Sequence, residues 1–299
     1  MVKSVIIDCD PGVDDAIAIL LALATDSLNI LAITTVAGNV PLHYTTNNAL
    51  KICQLAGRPD LPIYPGCPRP MLKPLHTATE VHGATGLQGA ELPAPSAPPQ
   101  PQHAVEYLIH TLSQAAEPIT LATLGPLTNV ALALIQKPSI AQNIQEIVAM
   151  GGAVTHGNVT PSAEFNIYVD PHAAEVVFSA GIPTTLITLD TTHQVLTTAE
   201  RLQTIRDLGS PVAQAAADLL AHYGHADAER YGMPGSPLHD PCVIAYLMQP
   251  HLFGRRPVPV SVAVDAGPTQ GRTVIDWWHR QEGAINVTDA VDTPAFYDL

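Results

Sequence analysis

Four aspartates crowd into eight residues near the amino terminus: Asp8, Asp10, Asp14 and Asp15 of Asp8-Cys9-Asp10-Pro11-Gly12-Val13-Asp14-Asp15. Carboxylates this close repel one another unless a cation or a helix N-terminus compensates, and metal binding is the economical explanation. Carboxylate oxygens are hard donors that favour calcium or magnesium over zinc. The EF-hand spacing is not met, because its third acidic position and its bidentate Glu are absent, so a calcium site must recruit ligands from distant segments. Asp240 is the best distant candidate, since the polar pair His239-Asp240 opens an otherwise apolar helical pattern. The plainer alternative is that Asp14 and Asp15 only favour a first helical turn while Asp8 caps the structure.

The elements that must position these residues follow from periodicity. Val5-Ile6-Ile7 reads as a buried strand and Asp14 to Ala24 as a helix, which puts the acidic segment on the turn between them. Ile30 to Val36 is a second strand. A helix from about 45 to 55 follows, then helix 103–115, strand Ile119 to Ala122, helix 127–135 and strand Ile144 to Met150. Strands alternating with helices predict an α/β fold: a single domain over 1–299 with a central, mostly parallel sheet flanked by helices, Rossmann-like in layout. In such sheets ligands sit at the carboxyl ends of the strands, where Asp10, Asn39, Leu124 and Met150 all fall. The Pro- and Gly-rich stretch Pro59 to Gln102 is too long for an idle connection and is expected to border the site, as is Ala153 to Pro161. Asp170-Pro171 predicts a helix start, Pro211 to about Tyr223 another, and Pro241 to Leu247 a third, while the last 45 residues read as short strands and turns.

Composition narrows the chemistry. With 13 basic against 27 acidic residues the formal charge is 13 − 27 = −14, and Lys occurs only at positions 3, 51, 73 and 137. Nothing here neutralises a nucleic-acid backbone. The same deficit disfavours a heavily phosphorylated substrate and suits a neutral, hydroxyl-rich ligand held with a metal. The 46% hydrophobic content supports a sizeable core. Cys9, Cys53, Cys67 and Cys242 form no C-x-x-C pair, as expected of free thiols in a reducing compartment. Neither a secretory signal nor a membrane span is read from the pattern, so a cytoplasmic protein with no membrane partner is expected.

The acidic segment resembles the signature of the inosine-uridine-preferring nucleoside hydrolases. The resemblance continues through Ala37-Gly38-Asn39, His82-Gly83, Gly125-Pro126-Leu127-Thr128-Asn129, Met150-Gly151-Gly152, Glu164-Phe165-Asn166, Asp170-Pro171 and His239-Asp240-Pro241, in family order over nearly the whole chain. It implies the nucleoside hydrolase fold, a role in nucleoside salvage, and hydrolysis of the N-glycosidic bond of ribonucleosides. It further implies a calcium ion held by Asp10, Asp15, Asp240 and the backbone carbonyl of Leu124. The attacking water would lose its proton to Asp10, assisted by Asp14. Asp14, Asn39, Asn158, Glu164 and Asn166 match ribose-binding positions, with Met150 packing nearby. His82 and His239 match the two base-side histidines, and Asp227 and Tyr231 fall where related enzymes contact the base.

Cleavage of an N-glycosidic bond builds positive charge on the sugar, which fits acidic walls. The wording Gly235-Ser236-Pro237-Leu238-His239-Asp240-Pro241 and the turn Thr269-Gln270-Gly271 resemble the pyrimidine-preferring members; broad or purine-accepting activity is the alternative. By the same resemblance the chain is expected to form a homo-oligomer, a tetramer or dimer. It stops at Phe296-Tyr297-Asp298-Leu299, where relatives are expected to continue for a further helical turn. Two other classes remain: a phosphohydrolase with Asp8 as nucleophile and Asp10 as acid, which lacks the cations to hold a phosphoryl group, and a nucleoside-binding protein without catalysis. Neither G-x-G-x-x-G nor G-x-x-x-x-G-K-[ST] follows a predicted strand, which sets aside dinucleotide and triphosphate enzymes.

Overall fold

The computed structural model describes residues 2–223, 225–279 and 285–299, the side chains of 225–227 excepted. Its centre is an eight-stranded sheet. We number its strands in chain order: β1 (Lys3–Cys9), β2 (Leu28–Thr35), β3 (Ile63–Pro65), β4 (Ile119–Thr123), β5 (Ile144–Met150), β6 (Thr184–Ile187), β7 (Phe253–Val258) and β8 (Ile285–Val291). Their spatial order is β3-β2-β1-β4-β5-β6-β8-β7. Every pairing is parallel except that of β8 with the edge strand β7.

Alternation along β1 explains the layers. Val5, Ile7 and Cys9 point into one apolar cluster, which includes side chains of the helices Val13–Ala24, Leu42–Leu55, Pro211–His222 and Pro241–Met248. Ile6, between them, points into a second cluster shared with the helices Ala104–Gln114, Thr128–Gln136 and Pro171–Phe178. A strand buried on both faces needs apolar residues at consecutive positions, hence the unbroken Val5-Ile6-Ile7. Each fully buried aliphatic side chain contributes about 1.5–3 kcal/mol to this sandwich.

The predicted elements are present with boundaries shifted by a few residues, and the helix after Asp170 starts as expected, with the Asp170 carboxylate accepting from Ala173 N–H at 3.1 Å. Two features differ from expectation. Thr184–Ile187 is a buried core strand that the pattern did not announce. The carboxyl-terminal region, expected as short strands and turns, supplies the six-residue β7 and seven-residue β8, which complete the main sheet. Pro257 lies in β7, where an edge strand tolerates a missing N–H. Among the described residues no helix is long and apolar enough to cross a membrane.

The order β3-β2-β1-β4 reverses direction between β1 and β4, and the crevice outside that switch point is where open α/β sheets bind ligands. The acidic segment leaves the end of β1, Asn39 follows β2, Leu124 follows β4, and Met150 ends β5. The strand ends therefore converge as the sequence pattern predicted.

Candidate active site

Asp10 is wholly buried and its Oδ2 accepts the Asn39 backbone N–H at 2.6 Å. Its Oδ1 is buried with no hydrogen-bond partner among the described residues. A methyl group on Gly38 or Gly125 would collide with the two oxygens of this carboxylate, so both neighbouring turns must be glycine for Asp10 to fit. Asp15 sits at the third position of the helix Val13–Ala24 and folds back on its start, accepting from Gly12 N–H at 2.9 Å and Asp10 N–H at 3.2 Å. The Asn39 amide adds a third donor to Asp15 at 3.2 Å and also donates to the Asp10 carbonyl at 3.2 Å.

Asp240, at the start of the helix Pro241–Met248, brings a distant carboxylate to the same place. Single oxygens of Asp14, Asp15 and Asp240 lie within 4.8 Å of one another, all three residues buried. Burial and mutual repulsion dominate their electrostatics. Burial, then Asp14, pushes Asp15 up from 3.8 to about 7. Burial likewise drives Asp10 and Asp240 well above the usual carboxylate range, reinforced by Asp15 beside Asp10 and by Asp14 and Asp15 beside Asp240. Buried charges with this much repulsion call for a countercharge. Hard oxygen donors, an unpartnered buried oxygen on Asp10 and converging carboxylates fit a divalent cation. The Leu124 carbonyl accepts from the Asn166 amide at 2.7 Å, and the second lone pair of a carbonyl remains for a further partner.

Above this floor opens a cleft. Asp14, Asn39, His82, Leu124, Met150, Asn158, Glu164, Asn166, His239 and Asp240, all singled out from sequence, line it. Both irregular loops border it as expected, one through Ala78 to His82 and the other through Asn158 and Val159. Glu164 is fixed rigidly: it caps the helix Phe165–Val169 by accepting from Asn166 N–H at 2.9 Å and Ile167 N–H at 3.2 Å, and takes Gly152 N–H at 2.9 Å. Burial raises its pKa while those N–H groups pull it back down.

The two histidines are held differently. His82 Nδ1 accepts the Val13 N–H at 3.1 Å, so that nitrogen carries a lone pair and protonating it breaks the bond. His239 Nδ1 lies 2.7 Å from Thr192 Oγ1. The Thr192 hydroxyl also reaches the Leu189 carbonyl at 3.4 Å, and when it donates there His239 Nδ1 is the donor to it.

Some expected residues stand elsewhere. Asp10 and Asp15 lie beneath the cleft wall. Tyr231 is not among the lining residues; its hydroxyl donates to the Gly157 carbonyl at 2.6 Å and its ring is 4.9 Å from that of His193. The Asp227 side chain lies outside the described residues. Asp8 is buried and faces Thr34 Oγ1 at 2.5 Å and the Asn129 amide at 2.8 Å, away from the cleft, so it is poorly placed as a nucleophile. Burial raises Asp8 to about 6, opposed by those two bonds. Tyr223 and Arg230 line the cleft and were not foreseen. Arg230 could have been noticed as a cation in a chain poor in them. Tyr223 leaves no sequence signal, because its partner in the site is 209 positions away.

Fold and site define a class: a doubly wound α/β protein with a buried cluster of carboxylates at its strand ends, opening on a cleft walled by amides and carboxylates. The sequence profile described as inosine-uridine preferring nucleoside hydrolase matches residues 5–298, and the chain belongs to that family. It is 46% identical over 303 residues to the pyrimidine-specific ribonucleoside hydrolase RihA of Shewanella woodyi, covering 100% of this chain and 97% of that one. An uncharacterized protein of Schizosaccharomyces pombe is 47% identical over 300 residues, covering 99% and 96% of the two chains. Among solved structures, a purine-preferring ribonucleoside hydrolase from Gardnerella vaginalis superposes with a TM-score of 0.92 at 34% identity, covering 99% of this chain and 96% of that one.

Proposed function

We propose that this chain is a calcium-dependent ribonucleoside hydrolase that splits uridine and cytidine into free base and ribose. The observation that carries the reading is the convergence of Asp14, Asp15 and Asp240 within 4.8 Å at the floor of a cleft walled by Asn39, Asn158, Glu164 and Asn166. Amide and carboxylate groups in that number suit a sugar's hydroxyls better than an apolar ligand. Pyrimidine preference rests on the likeness to RihA of Shewanella woodyi.

Asp10, Asp15, Asp240 and the Leu124 carbonyl would hold the cation. When bound, a hard divalent ion supplies charge for the ribose diol and acidifies water. The protein's own groups do the rest. Oxygen of a water bonds to the anomeric carbon while the carbon–nitrogen bond breaks and its electron pair leaves on the base. The water's proton passes to a carboxylate, Asp10 assisted by Asp14. Glu164, fixed by three backbone N–H groups, and Asp14 offset the positive charge developing on the sugar. His239, whose Nδ1 lies 2.7 Å from Thr192 Oγ1, gives the leaving base a proton from Nε2, and His82, whose Nδ1 accepts the Val13 N–H, lines the same cleft. Assembly as a homo-oligomer and a cytoplasmic salvage role complete the reading.

The test is release of free ribose from uridine, cytidine, inosine and adenosine, before chelation, after it, and after calcium is restored. The expected pattern is fast release from uridine and cytidine, lost on chelation. Equal rates on inosine would favour the purine-accepting alternative, to which the likeness with the Gardnerella vaginalis enzyme points. Phosphate release from a generic ester, with none of base from any nucleoside, would overturn the proposal.

A further inference from the structure

The carboxylates of the acidic floor are not all held alike. Asp10 and Asp15 are fixed by backbone N–H groups and the Asn39 amide. Asp14, which lines the cleft, is reached among the described residues by a side-chain hydroxyl: Tyr223 donates to its Oδ2 at 2.9 Å. Tyr223 is 2% exposed, closes the helix Pro211–His222 as its C-cap, and packs in the same apolar cluster as Val13 and Leu219. Its ring centroid lies 5.3 Å from that of His82, at a tilt of 35°. The phenol is thus clamped by helix, core and histidine while its hydroxyl projects to the carboxylate.

We propose that Tyr223 is a positioning residue for ribose selectivity: its hydroxyl pins Asp14 Oδ2, so that Oδ1 is presented to one hydroxyl of the sugar. This rests on the ribonucleoside reading above. A carboxylate on two rotatable bonds, facing two like charges, turns away from them unless something holds it. A hydrogen bond to a charged acceptor is strong enough to do so. The buried tyrosine loses little conformational freedom in holding it, since its own rotamer is already set by packing. Precise placement of a group that touches substrate strengthens the transition state more than it alters overall affinity.

Tyr223→Phe removes the hydroxyl and keeps the ring, so the helix cap and the packing on His82 remain. Wild type and variant are compared by kcat and KM on uridine, 2′-deoxyuridine and 3′-deoxyuridine, with the thermal midpoint of each protein recorded. On uridine the variant is expected to lose about 10-fold in kcat/KM, chiefly in kcat, equivalent to about 1.4 kcal/mol. On the deoxy analogue lacking the hydroxyl that Asp14 contacts, the loss shrinks below about 2-fold, because the positioned oxygen then has nothing to meet. A merely structural tyrosine would slow all three substrates by one common factor, which overturns the proposal, as does a variant equal to wild type on uridine. If Tyr223→Phe fails to fold, the three-substrate comparison is made with Tyr223→Leu, which also lacks the hydroxyl on Asp14, and the same selective pattern is required of it. A wild-type protein that releases no base from any nucleoside refutes the ribonucleoside reading and this inference with it, whereas an active wild type with an indifferent Tyr223 refutes only the inference.

Discussion

On the proposed calcium reading, removing the cation makes a specific demand on stability. Asp15 is held at about 7 in the folded chain against the ordinary 3.8, chiefly by burial. Between those values the folded state binds more protons than the unfolded one, so stability is greatest below about pH 4 on this group's account and falls as pH rises through 7. A shift of about three pH units is worth about 4 kcal/mol, and about two of those units, roughly 3 kcal/mol, lie between pH 5 and pH 7. At about 2 °C per kcal/mol for a chain of this size, Asp15 alone should make the chelated protein melt about 6 °C lower at pH 8 than at pH 5, and Asp10 and Asp240, raised by the same burial, add to that fall. Restoring calcium at pH 8 should recover the loss, since the ion binds the folded, deprotonated cluster alone. The assay is the thermal midpoint against pH, with chelator and with calcium, for wild type and Asp15→Asn. A chelated wild type whose midpoint is flat or rises from pH 5 to 8 would refute the reasoning, as would the same fall in Asp15→Asn.

Other outcomes follow from the same geometry. Turnover of 2′-deoxyuridine should be at least about 100-fold below that of uridine, because a missing hydroxyl leaves buried polar groups unpaired; comparable kcat/KM values would contradict the ribose site. Asp10→Ala should cost at least about 100-fold in base release, whereas Asp8→Asn, which touches Thr34 and Asn129, should retain most activity and lose about 1–3 kcal/mol of stability in denaturant titration. Equal activity in the two variants would erase the division between them. His239→Ala should lower kcat by about 100-fold or more, and His82→Ala by less, given how each ring is bonded; the reverse ranking in steady-state assays would reassign the proton donor.

Legibility in the sequence followed locality. The acidic turn could be read because strand, turn and helix start lie within fifteen residues, and the strand ends because Val5-Ile6-Ile7 and Ile147-Val148-Ala149-Met150 are unbroken apolar runs. Thr184–Ile187 escaped because two of its four residues are threonines, with no alternation to count. In β7, four of six residues are exposed and one is Pro257, so its pattern resembles a turn; only its place at the sheet edge explains why it is a strand.

By itself, then, the sequence determined the kind of chemistry and the layered fold that supports it, since carboxylate density, strand-helix periodicity and the family's ordered blocks are all written in consecutive residues. Tertiary structure decided what depends on separations the chain does not encode locally. It placed Asp240 against Asp14 and Asp15, set Asp8 facing Thr34 and Asn129 and the Tyr231 hydroxyl on the Gly157 carbonyl, gave each histidine a different bonding partner, and set Tyr223 on a carboxylate 209 positions away. The physical reason is that a side chain's pKa and role are fixed by what surrounds it in three dimensions, and those surroundings exist only once the sheet has brought its strand ends together.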